Sequence, residues 1–190
     1  PQGSILGPVL FTIFINDLPD LVECSLKIFA DDTKVYAGAD KNIQMQRDLD
    51  NLQEWSNCWQ LHFNVEKCHV LHIGKLNPCY GYTMNVNGVN QEIKTCTEEK
   101  DLGVIFDTNL TFDVHIDKCV NKANSMLGII KRTFCFLSKD IFLKLYKALV
   151  RPHLEYGNLL WYPTLKRQSV SIERVQRRAT KLVGECEGMT

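Results

Sequence analysis

The sequence predicts an α+β fold followed by a purely helical segment. Three observations predict it. Up to Phe112, short apolar runs with strand spacing alternate with amphipathic helical patterns; beyond Phe112 only helical spacing continues. The charge changes sign at the same place. Residues 1 to 112 carry 8 Lys+Arg against 15 Asp+Glu, a net of −7, and residues 113 to 190 carry 14 against 7, a net of +7. The formal neutrality of the chain thus hides an acidic part, which suits metal ions, and a basic part, which suits a phosphate backbone; solvated surface charge gives a similar split.

Taken in order, Ser4 is placed to cap a helix whose residues Ile5, Leu6, Val9, Leu10, Ile13 and Phe14 leave almost no polar face, so that helix is expected to be buried. Pro8 falls in or near its first turn, where a missing N–H is tolerated, and Asn16-Asp17-Leu18-Pro19 ends it. Leu26 to Ala30 and Thr33 to Ala37 are strand-like runs separated only by Asp31-Asp32, which makes a hairpin with two carboxylates at its tip. From Lys41 to Trp59, the spacing of Met45, Leu49, Leu52, Ser56 and Trp59 predicts an amphipathic helix backing the sheet. His69 to Ile73 reads as a strand, and Tyr82 to Val86 and Leu102 to Phe106 are strand candidates flanking the turn-forming Asn87-Gly88.

In the basic part, Ile116, Val120, Ala123, Leu127, Ile130 and Phe134 define one helix. A second is expected from Lys139 to Val150, ending before Pro152. A third, about Ser169 to Val183, sets Ile172, Val175, Ala179 and Leu182 on one side and Arg174, Arg177, Arg178 and Lys181 largely elsewhere.

Composition and motifs narrow the chemistry. With 45% apolar residues the chain is expected to bury a core, and no apolar run approaches the roughly 20 residues of a membrane span. The eight cysteines contain no Cys-x-x-Cys pair, and the five histidines do not join them at metal-site spacing, so neither a zinc site nor a disulfide framework is expected; reduced intracellular thiols fit better. Asn109-Leu110-Thr111 matches a glycosylation sequon by accident on that reading. Trp55, Trp59 and Trp161 lie on amphipathic segments, where packing is the commoner role than stacking on bases.

Two adjacent carboxylates at a hairpin tip fit a hard cation such as Mg²⁺, which takes oxygen ligands and keeps several waters. An Asp-Asp turn is nevertheless more often solvated than metal-bound.

The surroundings of that pair narrow the reading. Pro1-Gln2-Gly3-Ser4-Ile5-Leu6-Gly7-Pro8, then Ile15-Asn16-Asp17-Leu18-Pro19, then Phe29-Ala30-Asp31-Asp32-Thr33-Lys34 resemble the reverse transcriptases of non-LTR, LINE-type retrotransposons, jockey-like or chicken-repeat-like. The resemblance continues through Lys100-Asp101-Leu102-Gly103-Val104, Arg151-Pro152-His153-Leu154-Glu155-Tyr156 and Val175-Gln176-Arg177-Arg178-Ala179, in collinear order over nearly the whole chain.

This resemblance implies the C-terminal part of a right-hand polymerase palm, an antiparallel sheet backed by helices, over residues 1 to 112, followed by an α-helical thumb over 113 to 190. It implies RNA-directed DNA synthesis on an RNA template and DNA primer duplex with deoxynucleoside triphosphates, assisted by two Mg²⁺ ions. Asp31 would be the principal metal ligand and Asp32 its neighbour with a lesser or structural role; Phe29 stands where many relatives have Tyr, followed by Ala30. Gln2 and Gly3 match the loop against the nascent base pair, where a glycine lets the backbone come close. Lys67 falls where a lysine acts on the leaving pyrophosphate, and a surface lysine tethering a loop fits equally well. Leu102, Gly103 and Val104 match the primer-grip hairpin, and Lys118, Lys122, Lys131 and Arg132 are candidates for duplex contacts, each of which alone also reads as a solvated charge.

The opening Pro1-Gln2-Gly3-Ser4 reads as the middle of a longer chain. In this family a further metal-binding aspartate and the fingers precede that loop, so the chain by itself is expected to be inactive, with the thumb incomplete. The family implies the nucleus and cytoplasm. The alternative is a noncatalytic or host-adopted remnant that binds nucleic acid through its basic helices.

Overall fold

A computed structural model describes residues 5–86, 88–134 and 138–182. Ser4, Gln2, Gly3, Asn87, Cys135, Val183 and Cys186, all used in the sequence reading, lie outside the described residues. The chain divides into two compact units, Pro1–Thr97 and Glu98–Thr190.

The first unit opens with α1 (Leu6–Phe14), which ends in a short 3₁₀ turn, Leu18–Leu21. The hairpin β1 (Ser25–Phe29) and β2 (Asp32–Tyr36) follows, then α2 (Asn42–Trp59), β3 (His69–Leu71), β4 (Thr83–Val86), β5 (Val89–Glu92) and β6 (Lys94–Cys96). Period-two burial along β1 turns Leu26 and Ile28 inward, where with Val35 they meet Leu18, Leu52 and Trp55. A second cluster, Val65, Met84 and Ile93, packs with Leu49, Val70 and Val86. The α2 helix stops where Gln60 turns left-handed (φ 55°). Buried Ser56 seals that end, its hydroxyl donating to the Leu61 carbonyl at 2.7 Å.

Four expectations need correction here. The α1 helix is not buried: none of its nine residues is, and Ile5, Leu6, Val9, Leu10 and Ile13 are exposed. A helix apolar on every side needs cover on more than one, and the packing given to it is at its C-terminal end, where Phe14 meets Trp55 and Trp59 edge-on at 5.7 and 5.2 Å. Trp59 at the end of the α2 stripe is half exposed, and fully buried Asp48 occupies that stripe instead. The strand after residues 87–88 is β5, which pairs with β4 in register Val86↔Val89, and not Leu102–Phe106. Finally, among the described residues the strands form four two-stranded sheets rather than one antiparallel sheet, and β3 with β6 is parallel. Three of the four pairs join consecutive strands, and only β3 with β6 spans others.

The second unit begins with the hairpin β7 (Glu98–Asp101) and β8 (Val104–Asp107). The Asp107 carboxylate then accepts from the backbone N–H groups of Asn109, Thr111 and Phe112, shaping the entry into α3 (Asp113–Thr133). Burial would raise the Asp107 pKa, and these hydrogen bonds outweigh it, leaving the carboxyl below its ordinary value.

The α3 stripe packs as its spacing predicts: Ala123, Leu127 and Ile130 meet Phe142, Val150 and Leu154 and then Val175 and Ala179. These partners come from α4 (Lys139–Leu145), the turn Tyr146–Val150 that follows it, α5 (Arg151–Glu155) and α6 (Lys166–Thr180). Pro152 does not stop the second helical run as the sequence suggests. One π turn, Tyr146–Val150, widens the helix before it, and Pro152 falls at the start of α5, where an absent N–H is tolerated.

A smaller cluster, Val104, Ile116 and Trp161, holds the hairpin to α3. Gly157 passes between them with φ 66°, and an added Cβ would lie 3.2 Å from Val104 Cγ2. Gly157→Ala is therefore expected to lower stability by about 1–2 kcal/mol, read as a lower urea midpoint by circular dichroism. An unchanged midpoint would show that the left-handed turn does not constrain the hairpin.

Candidate active site

The hairpin forms as the sequence predicts, with its tip shifted by one residue from Asp31-Asp32 to Ala30-Asp31. Phe29 pairs with Asp32, so Ala30 and Asp31 form a two-residue loop and Asp32 opens β2. Ala30 takes φ 54°, a conformation L-residues visit at a steric cost, and the loop turns tightly enough to leave Phe29, Ala30, Asp31 and Asp32 all exposed. The inward residues of both strands are packed on α2, so the tip is a displayed end of a fixed hairpin.

What fixes it was not evident from motifs. Asp48, fully buried on α2, accepts from the backbone N–H of Cys24 at 2.7 Å and of Glu23 at 3.1 Å, and from Gln44 Nε2 at 2.9 Å. These bonds clasp the chain immediately before β1 begins. Burial would raise the Asp48 pKa, but the hydrogen bonds from Cys24, Gln44 and Glu23 outweigh it and hold the carboxyl below its ordinary value. Burial, with Asp48 beside it, pushes the Cys24 thiol up to about 11, so it stays protonated at neutral pH and serves as a donor. A charged residue at position 48, four before Leu52 and seven before Trp55, is the signal that could have revealed this clasp.

Lys67 is exposed at the end of a separate 3₁₀ turn, Val65–Lys67, preceding β3. Among the described residues no cluster of three or more His, Cys, Asp or Glu could hold a metal ion, so Asp31 and Asp32 supply two adjacent oxygen donors and no third protein ligand. The donor chemistry fits Mg²⁺, which takes one or two carboxylates and completes its shell with water and phosphate oxygens.

In the second unit, Leu102 and Gly103 form the two-residue tip of the β7–β8 hairpin, with φ 44° and 89°, and Val104 turns into the core. Lys118, Lys122, Lys131 and Arg132 are all exposed on α3. At about 100° per residue, Lys118, Lys122 and Arg132 share an arc of about 80° opposite the buried stripe, and Lys131 falls outside it. His115 on the same helix is buried; its Nδ1 accepts from the Ile105 N–H at 3.3 Å, and burial lowers its pKa, with Lys118 and Lys122 adding to the effect. It is a neutral strut between α3 and β8, not a ligand. No disulfide joins the described cysteines, and no described helix is long and apolar enough to cross a membrane.

Comparison with known proteins adds the following. The family described as reverse transcriptase (RNA-dependent DNA polymerase) matches residues 1–130. The RNA-directed DNA polymerase from mobile element jockey of Drosophila funebris is 34% identical over 83% of this chain and 18% of its own length. The probable RNA-directed DNA polymerase from transposon X-element of Drosophila melanogaster is 26% identical over 98% of this chain and 22% of its own. A retrovirus-related Pol polyprotein from the type-1 retrotransposable element R1 of Nasonia vitripennis is 26% identical over 94% of this chain and 58% of its own. The chain thus spans about a fifth of the length of the first two. No solved structure matches the chain.

Proposed function

Because the chain belongs to the reverse transcriptase (RNA-dependent DNA polymerase) family, we propose that it is part of an RNA-directed DNA polymerase of a non-LTR retrotransposon, extending a primer 3′-hydroxyl with deoxynucleotides. The observation that carries this reading is the exposed Asp31–Asp32 pair, held on a hairpin packed against α2 inside the matched residues. In that reaction the hydroxyl attacks the α-phosphorus of a deoxynucleoside triphosphate and pyrophosphate leaves. Asp31 and Asp32 would hold Mg²⁺, which when bound would favour the hydroxyl's deprotonation and spread the developing charge.

On this reading Asp31 is the principal metal ligand and Asp32 its neighbour. Phe29 and Ala30 shape the turn beside the incoming nucleotide, Gln2 and Gly3 face the nascent pair and template, and Lys67 offers positive charge to the leaving group. Leu102, Gly103 and Val104 meet the primer strand. Residues 1 to 112 act as palm and 113 to 190 as thumb, with Lys118, Lys122, Lys131 and Arg132 on the duplex backbone. Asp31 and Asp32 would supply part of the Mg²⁺ ligand shell, and on this reading synthesis belongs to the intact polymerase and not to the 190 residues alone.

The test is primer extension by the intact polymerase on an RNA template, with synthesis expected only when template, primer, deoxynucleotides and a divalent metal ion are all supplied. Binding without synthesis would favour a noncatalytic nucleic-acid module instead. The helical face has its own test. Lys118→Gln with Lys122→Gln is expected to weaken binding to an RNA–DNA duplex equally across sequences, and to lower the slope of log affinity against log salt by about two. An unchanged slope would remove these lysines from the interface.

A further inference from the structure

The Leu102–Gly103 tip is strained and is held from outside its own hairpin. Two-residue loops with both φ values positive favour Asn-Gly or Asp-Gly; here a leucine occupies the first place at φ 44°, against steric preference. A turn of this kind persists when its surroundings over-determine it.

What surrounds it is Tyr156, 54 residues further along at the end of α5. The Tyr156 hydroxyl donates to the Leu102 carbonyl at 2.8 Å. Its ring lies beside Gly103, where an added Cβ would come within 3.1 Å of Cε1. Gly103 is therefore required twice, for its φ of 89° and for the ring against it.

Tyr156 is itself anchored. Its N–H donates to the Pro152 carbonyl at 3.0 Å, and its carbonyl accepts from Nε1 of Trp161, a fully buried ring, at 2.8 Å. A continuous chain of bonds runs from the core indole through the Tyr156 backbone and phenol to the hairpin tip. The phenol contributes little to the core, since Tyr156 is 59% exposed, and Leu102 is displayed beside it at 48% exposure. A half-exposed apolar side chain on a strained, externally braced turn is built to present that turn, not to bury it.

We infer that Tyr156 is a positioning residue: its hydroxyl, hydrogen-bonded to the Leu102 carbonyl, fixes the Leu102–Gly103 tip in the conformation that meets the primer strand. This rests on the reading of the hairpin as the primer contact. The helical unit thereby sets the geometry of the tip, and loss of one hydroxyl lets the leucine relax out of its left-handed conformation.

The experiment measures steady-state extension by the intact polymerase on a DNA primer annealed to an RNA template, for Tyr156→Phe, Leu102→Gly and the double variant. For Tyr156→Phe, the KM for primer–template is expected to rise about fivefold, the scale of one lost hydrogen bond. The KM for deoxynucleotide, kcat and the urea midpoint stay near their original values. Leu102→Gly raises the same KM, and the double variant is no worse than the more impaired single one, because both changes act on one tip. If Leu102→Gly raises the primer–template KM and Tyr156→Phe does not, the positioning role is overturned while the hairpin assignment stands. If neither moves it, the primer-contact reading itself fails and the inference with it. If Tyr156→Phe lowers kcat, both KM-derived affinities and the urea midpoint together, the residue is merely structural and the inference is overturned.

Discussion

Asp48→Ala will lower the stability of the first unit by about 3–5 kcal/mol, since it leaves the buried Cys24 N–H with no acceptor at about 1–3 kcal/mol and removes two part-buried hydrogen bonds worth about 1 kcal/mol each. The donors are the N–H groups of Glu23 and Cys24 and the Gln44 amide, all directed at one carboxylate. Asp48→Asn keeps the shape and part of the acceptor capacity and loses the charge, for a smaller cost of about 2 kcal/mol.

The sign of the acid dependence follows from the depressed carboxyl pKa. The folded state releases the Asp48 proton more readily than the unfolded state. The resulting stability is fully present above the unfolded value of about 3.9 and is lost as pH falls through the lower folded value. Asp107 behaves in the same sense, so acid alone does not separate the two groups. The difference between the natural chain and Asp48→Asn does. Urea midpoints are expected to differ at neutral pH and to converge once pH falls below the folded pKa; a gap independent of pH would contradict the clasp.

This clasp also shows where sequence reasoning reaches and where it stops. Leu26–Ala30 and Thr33–Ala37 were legible because apolar alternation breaks at two aspartates, which favour a tight turn. The α2, α3 and α6 helices were legible because residues such as Leu52, Leu127 and Val175 recur at helical spacing and are buried.

The strands β5, β6 and β7 carried no such signal. Asn90-Gln91-Glu92, Lys94-Thr95 and Glu98-Glu99-Lys100 are polar, and each becomes a strand only through pairing with a partner elsewhere in its unit. Apolar composition was a misleading guide for α1, since burial depends on a neighbour's surface that composition does not report. Pro152 misled in the opposite direction, because a π turn absorbs it. At the candidate site the Asp31–Asp32 hairpin was legible, whereas Leu102 and Gly103 read as the start of a strand and instead form the tip of the β7–β8 hairpin. Asp48 and Tyr156, which hold those hairpins in place, act through backbone atoms of distant residues and were not legible.

The largest effect expected on function is at Asp31. Metal-borne stabilisation of developing charge is worth several kcal/mol, and at about 1.4 kcal/mol per factor of ten its loss corresponds to roughly a thousandfold or more in rate. Asp31→Ala removes the principal ligand of the proposed site and should reach that range, while Asp32→Ala should fall short of it. Because Asp31 is exposed in a turn, its loss leaves the packing of Leu26, Ile28 and Val35 on α2 untouched. The decisive measurement is therefore single-nucleotide incorporation by the intact polymerase on a primed RNA template with Mg²⁺, for the natural chain and Asp31→Ala, each with its urea midpoint. The proposal predicts a rate lowered about a thousandfold or more at an unchanged midpoint. Incorporation by Asp31→Ala within about tenfold of the natural rate would contradict the assignment of this hairpin as half of a polymerase metal site.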